Sequence, residues 1–254
     1  MRKLIIMTAV VVAFFILVGG LSFAIEMYFD YLWFAALGIT VVFTTALYAK
    51  SLMGTSAVLV GFLFVFLNVL IANRAPGLIQ LGIPTPTGQI TAYTVSPEVV
   101  RRISALVAIL VGLVPGYICA ENWEKIWRWI HAVPFNAEDP IFSRDVSFYM
   151  FTIPFYRELI NIGLILGFLT LVGVLALYYF KGALSWKKLR GSEGSKSRLT
   201  IQVSLLAAFV FFLLSVSAFL NRYEVLFGNH EVFAGAGYTD LNARVPMLMA
   251  LSVC

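Results

Sequence analysis

Five stretches of this chain, Leu4–Ile25, Leu52–Ala72, Ile103–Ala120, Leu159–Phe180 and Leu199–Leu220, contain no Asp, Glu, Lys, Arg or His. Each is about twenty residues long, and at roughly 1.5 Å per helical residue such a run covers the roughly 30 Å of a bilayer's hydrocarbon. In lipid only a helix or a closed barrel satisfies its own backbone, and these runs lack the alternation of barrel strands. The expected fold class is therefore all-α: a multi-pass transmembrane helical bundle with interfacial helices and ordered outer loops. Composition agrees, with 61% hydrophobic and only 12% charged residues. A soluble core has no room for five such runs.

The first run follows Met1-Arg2-Lys3 and is too long for a signal core, with no A-x-A-like site before Glu26, so it reads as an uncleaved span. Of the two cysteines, Cys119 lies within a span and Cys254 is the last residue, which gives no disulfide framework.

The placement of charge orients the chain. With the N-terminus in the cytoplasm, the inner segments are residues 1–3, 73–102 and 181–198. They hold 11 of the 18 Lys and Arg residues and only two acids, Glu98 and Glu193. The loop from Lys181 to Arg198 is the most basic, and short basic loops stay on the cytoplasmic side. This reads as membrane topology, with the lipid bilayer as the partner and no nucleic acid. The uncharged stretch Tyr31–Ala49 is long enough to span, but a crossing there would turn the basic loop outward. It is expected on or shallowly in the outer interface, with Tyr31, Trp33 and Phe34 at headgroup level. Residues 1–254 thus form a single transmembrane domain. The apolar run from Val245 is expected to be the start of a sixth span, cut in the middle.

The inner loop 73–102 has four prolines and reads as an irregular connector, after which Ser96-Pro97-Glu98 supplies an N-cap, a first-turn proline and a first-turn acid. In the outer loop 121–158, Trp123, Ile126, Trp127 and Ile130 share one helical face opposite Glu124, Lys125 and Arg128. That pattern fits an interfacial helix or one packed on the protein's own spans.

Glu138, Asp139 and Asp145 surround Arg144, and Asp240 and Arg244 follow in the last outer loop. Three close carboxylates suit a cation or acid–base chemistry, but the spacing matches no calcium loop, and ion pairing that fixes the loops is the preferred reading. We expect Arg144 to pair with Asp139, Asp145 or Asp240. Gly235-Ala236-Gly237 lacks the third glycine and the preceding strand of a dinucleotide site. The two histidines, His131 and His230, lie in outer loops, where they offer no haem site within the helices. No catalytic residue, cofactor or metal site is assigned. The spans hold only mild polar groups (Asn68, Asn161, Thr170, Gln202 and Ser204), without the ionisable residues of proton relays or ion-coupled carriers. Gly163-x-x-x-Gly167 permits a close helix contact, most simply an internal one.

Three segments, 30–45, 133–155 and 221–246, carry the strings D-P-I-F-S-R-D-V-S-F-Y and G-Y-T-D-L-N-A-R-V-P as well as N-R-Y-E. In these the chain resembles the large prokaryotic membrane proteins grouped as uncharacterised protein family 0182. The resemblance implies about seven spans followed by a large extracytoplasmic domain, of which this chain would be the N-terminal part. It brings no activity or catalytic residues with it. Two functions follow as expectations: a membrane anchor and assembly module for an extracytoplasmic domain or partner proteins, or a transporter or lipid-handling protein with a path between its spans. The first is preferred, and an enzyme is the less favoured third.

Overall fold

The computed structural model describes residues 2–74, 79–84, 90–182, 193–228 and 235–253. The chain divides into two compact units, Met1–Leu52 and Met53–Cys254.

In the first unit, α1 (Arg2–Ala36) turns into α2 (Thr40–Asn73) through three residues. Gly38 has φ 71°, its N–H donates to Ala35 O, and Ile39 N donates to Phe34 O. This pair of bonds around a left-handed glycine is the Schellman end of a helix. Across the turn, Phe43 meets Tyr31 at 5.9 Å and Phe34 at 5.7 Å. The uncharged stretch Tyr31–Ala49 is therefore not one interfacial element, because Gly38 cuts it into the end of α1 and the start of α2. Both helices are longer than expected, since α1 carries Glu26 and Asp30 within its C-terminal part and α2 takes up Lys50.

In the second unit, the Met53–Asn73 arm of α2 lies against α3 (Pro97–Glu121) with almost no side chain between them. A Cβ on Gly112 would stand 2.8 Å from Phe62 N, and one on Gly61 would stand 2.6 Å from Pro115 Cγ. Small residues let the two backbones approach in this way, and no aqueous hydrophobic effect is needed to hold them. Ser96 caps α3 by accepting from Val99 N, with Pro97 and Glu98 in the first turn.

The connector between these helices is not wholly irregular. β1 (Gln80–Pro84) and β2 (Ile90–Thr94) pair antiparallel from Gln80↔Thr94 to Pro84↔Ile90. The β-branched and aromatic content of I-T-A-Y-T favours a strand, and Pro84 stands at a strand end, where a missing N–H is tolerated.

α4 (Trp123–Ile130) follows, then α5 (Ile153–Phe180), α6 (Glu193–Glu224) and α7 (Val245–Leu251). α5 and α7 are each entered through a π-turn, Phe148–Thr152 and Asp240–Arg244. In both the next residue but one is a proline, Pro154 or Pro246. A proline inside a helix donates no N–H and crowds the carbonyl four residues back, and a widened turn relieves both.

Three buried clusters bind the unit. Val65, Val69, Ala108 and Leu166 join α2, α3 and α5. Ala72, Val174, Tyr178 and Leu206 join α2, α5 and α6. Tyr149, Ile153, Ile160, Leu220 and Tyr223 join the start of α5 to the end of α6. Gly163 and Gly167 face Leu213 and Phe209 of α6, so this small-residue pair serves internal packing. Among the described residues, five helices are long and apolar enough to cross a membrane: Ala13–Ala36, Thr40–Asn73, Pro97–Glu121, Phe148–Phe180 and Leu199–Phe227. Their outer faces expose large apolar side chains such as Phe168, Phe211 and Phe212, a surface suited to lipid.

Candidate functional site at the aromatic end

α3 and α6 finish where α4 lies and α5 begins, and the loop residues of interest collect there. α4 forms where expected, with Trp123, Ile126 and Trp127 of the expected face half-buried and its fourth residue, Ile130, exposed. Trp129, which the periodicity left off that face, stacks on Phe155 at 4.1 Å. Lys125 Nζ reaches Glu158 Oε2 at 2.7 Å, and Asn122 Nδ2 donates to the other oxygen of that carboxylate at 3.4 Å. On the exposed face Glu124 pairs with Arg128.

Residues 138–145 form a tight loop closed by a bridge between Glu138 and Asp145. Two of its three carboxylates, Asp139 and Asp145, serve the backbone, while Glu138 takes part through its main chain. Asp139 Oδ2 accepts from Ile141 N (3.2 Å), Phe142 N (2.6 Å) and Tyr149 OH (3.1 Å). Asp145 Oδ1 accepts from Ser147 N (2.8 Å) and Phe135 N (3.1 Å). The hydrogen bonds from Ser147 are the main reason that Asp145 titrates low, at about 2. The remaining strain of the turn lies at Asn136 and Ser143, both with positive φ.

The expected pairing of Arg144 is not found. Among the described residues its guanidinium joins no ion pair and lies 5.7 Å from the centre of the Phe148 ring. Its link to Asp139 is through the backbone, Asp139 N donating to Arg144 O at 2.8 Å. Asp139 and Asp145 beside it are held by backbone N–H groups nearby in the chain, which fix them in place. Asp240 is buried, accepts from Gly237 N at 3.0 Å and stands 3.6 Å from Arg244 Nη1 one turn later. The six sequence candidates thus fall into two local groups, Glu138, Asp139, Arg144 and Asp145 in one and Asp240 and Arg244 in the other.

What ties the first of these groups to the end of α6 is a set of aromatic and charged residues around Tyr223. Tyr223, near the end of α6, meets Phe142 at 5.0 Å, Phe148 at 5.2 Å and Tyr149 at 6.0 Å, mostly edge to face. Arg222 lies over Phe219 at 3.7 Å and donates to the Tyr223 hydroxyl. Such stacks add stabilisation beyond burial. Beside them Arg157 bridges Glu224 at 2.6 Å and Asn221 Oδ1 at 2.9 Å. The signal in sequence is the string N-R-Y-E itself, which places Asn221, Arg222, Tyr223 and Glu224 on the last turn of α6.

Near the opposite end a second polar group clamps the helices: Tyr178 OH donates to Gln202 Oε1 at 2.7 Å, and Gln202 Nε2 donates to Asn68 O at 2.7 Å. Each of these residues lies within a few turns of a helix end. No group of three metal-ligating side chains occurs among the described residues. His230 and the loop residues 183–192 lie outside the described residues.

The comparisons with known proteins give a family and do not name an activity. A UPF0182 protein of Mycobacterium avium is 34% identical over 236 residues, covering 90% of this chain and 23% of its own length. The corresponding figures are 31%, 89% and 23% for one from Saccharopolyspora erythraea, and 31%, 97% and 27% for one from Trichlorobacter lovleyi. The chain thus spans about a quarter of the length of the curated relatives it matches. No solved structure matches it. The model of the Uncharacterised protein family (UPF0182) matches residues 5–254, and the chain belongs to that family.

Proposed function

We propose that this chain is a multi-pass membrane anchor and assembly module. It crosses the cell membrane with its N-terminus in the cytoplasm and presents the aromatic end outside, as a platform for an extracytoplasmic domain or partner protein. The observation that carries the reading is the knot around Tyr223 with its flanking Arg157–Glu224 and Lys125–Glu158 pairs, which joins α4, α5 and α6 at one end. A platform needs ends held in fixed relation, and packed aromatics with ion pairs at their edges supply that rigidity. A carrier mechanism finds less support. The polar group of Asn68, Tyr178 and Gln202 belongs to helix ends, with Asn68 about 7.5 Å along the axis from the last residue of α2.

The orientation is tested by single cysteines at Ser192 and Ala137 in a background with Cys119 and Cys254 changed to Ser. In intact cells an impermeant thiol reagent should label the Ala137 position and spare the Ser192 position. The opposite labelling would overturn the orientation. The platform role is tested by Tyr223→Ala in a full-length family member, which should release or expose the extracytoplasmic part to protease while leaving the spans in the membrane. Unchanged protease resistance would overturn it.

A further inference from the structure

At the basic end, where α2 finishes and α3 and the hairpin begin, there is a cavity of about 600 Å³. Its rim is cationic: Arg74 just beyond α2, Arg101 in the second turn of α3 and Lys181 at the end of α5, with Glu98 the one acid among the described lining residues. Its inner wall is apolar, formed by Phe66 and Leu70 of α2 and Ala105 of α3. Lys181 is nine-tenths buried and donates to Ala72 O (3.2 Å) and Asn73 O (2.7 Å), so it fixes the end of α2 and neutralises its negative pole. With that pole neutralised, the exposed Arg74 and Arg101 guanidiniums set the sign of the opening.

We propose that this cavity binds the headgroup of an anionic glycerophospholipid, its phosphate between Arg74 and Arg101 and its first acyl carbons over Phe66 and Leu70. Three features select that chemistry. Guanidinium groups match phosphate oxygens in a planar fork. The volume falls in the range of small-molecule sites, and basic pockets between spans accept lipid headgroups. The apolar inner wall continues into helices of lipid-spanning length, which suits an amphiphile better than a free phosphate ion. Phosphatidylglycerol, an anionic glycerophospholipid, is the probe. Which leaflet supplies the lipid rests on the orientation proposed above, whereas binding itself does not.

The purified chain is reconstituted in nanodiscs of equal phosphatidylcholine and phosphatidylglycerol, extracted in mild detergent, and its retained lipids are counted by mass spectrometry. The wild-type chain should retain phosphatidylglycerol preferentially. Each arginine beside an anionic headgroup contributes roughly five-fold, so Arg74→Gln with Arg101→Gln should lower the ratio by roughly ten- to thirty-fold. Arg74→Lys with Arg101→Lys should recover part of it. Arg102→Gln, which removes the same charge one position along α3 and outside the cavity, should leave the ratio unchanged. Equal retention of the two lipids by the wild-type chain would overturn the proposal, as would an Arg102→Gln loss as large as that of the double variant. Loss of the retained lipid in millimolar inorganic phosphate would assign the site to a soluble phosphate and overturn the lipid assignment. A reversed cysteine-labelling pattern would move the site to the other leaflet without changing any of these ratios.

Discussion

Replacing Gly112 by alanine is the sharpest test of how α2 and α3 are held. The new Cβ would stand 2.8 Å from Phe62 N, 2.9 Å from Phe62 Cα and 3.0 Å from Phe62 Cβ. Ordinary contact between such atoms needs about 3.5–4.0 Å, so the helices must separate locally by roughly 0.6–1 Å. The obstacle is backbone, which no rotamer change can move. Overpacking of this kind costs about 1–3 kcal/mol. Gly173 supplies the reference: it lies within α5, and a Cβ there meets nothing within 4 Å. Both variants gain the same helix propensity, about 0.8–1 kcal/mol, so the difference between them isolates the packing term. Gly163→Ala should fall between, since its Cβ meets the terminal Leu213 Cδ1 at 2.7 Å, and that side chain can turn aside. The assay is unfolding in mixed micelles by increasing SDS fraction, followed by circular dichroism. Gly173→Ala should unfold at or above the wild-type midpoint and Gly112→Ala clearly below it. Equal midpoints for Gly112→Ala and Gly173→Ala would refute the close α2–α3 packing.

Other expectations concern the aromatic end. A double-mutant cycle on Arg157 and Glu224 should give a coupling of only about 0.2–1 kcal/mol, because both side chains are more than a third exposed; a value well above that would mean the pair is shielded from solvent. Tyr149→Phe should cost about 0.5–1.5 kcal/mol through loss of its hydrogen bond to Asp139, and an unchanged midpoint would show that the bond is dispensable. Asp145 titrates at about 2 when folded against an ordinary 3.8, so its contribution is present above pH 3.8 and lost as pH falls toward 2. Asp145→Asn should flatten the acid limb of the stability profile across that window, and an identical limb would refute the assignment. Arg144→Ala, which removes only a contact with one ring, should lower accumulation in cells less than Tyr223→Ala does; the reverse order would restore an ionic role for Arg144.

The spans were legible because lipid imposes a length and a composition on any crossing helix, and α4 was legible because its faces differ so sharply. Helix partners were much less so. The Gly163-x-x-x-Gly167 and Gly112-x-x-x-Gly116 patterns look alike in sequence, yet a Cβ on Gly163 would meet a leucine side chain and one on Gly112 would meet backbone. The pairing of Arg157 with Glu224 joins residues far apart in the chain, and no local rule marks it. The break at Gly38 was missed because an uncharged run says nothing about where a helix reverses, whereas one left-handed glycine decides it.

The D-P-I-F-S-R-D string is the instructive case. Counting charges suggested that Arg144 sits among its counter-ions, but an aspartate next to a proline or two residues before a serine has a nearer partner than any side chain. Asp139 takes N–H groups two and three residues on, and Asp145 takes the one two residues on. These are Asx turns, formed within a few residues and at no cost in loop closure. Fixing both carboxylates on the backbone leaves the guanidinium to the Phe148 ring and the solvent. Asp139 and Asp145 are therefore hinge pins of the chain's entry into α5, and the grip of this loop on the end of α6 passes to the aromatic rings around Tyr223, which lose less by leaving water than charges do.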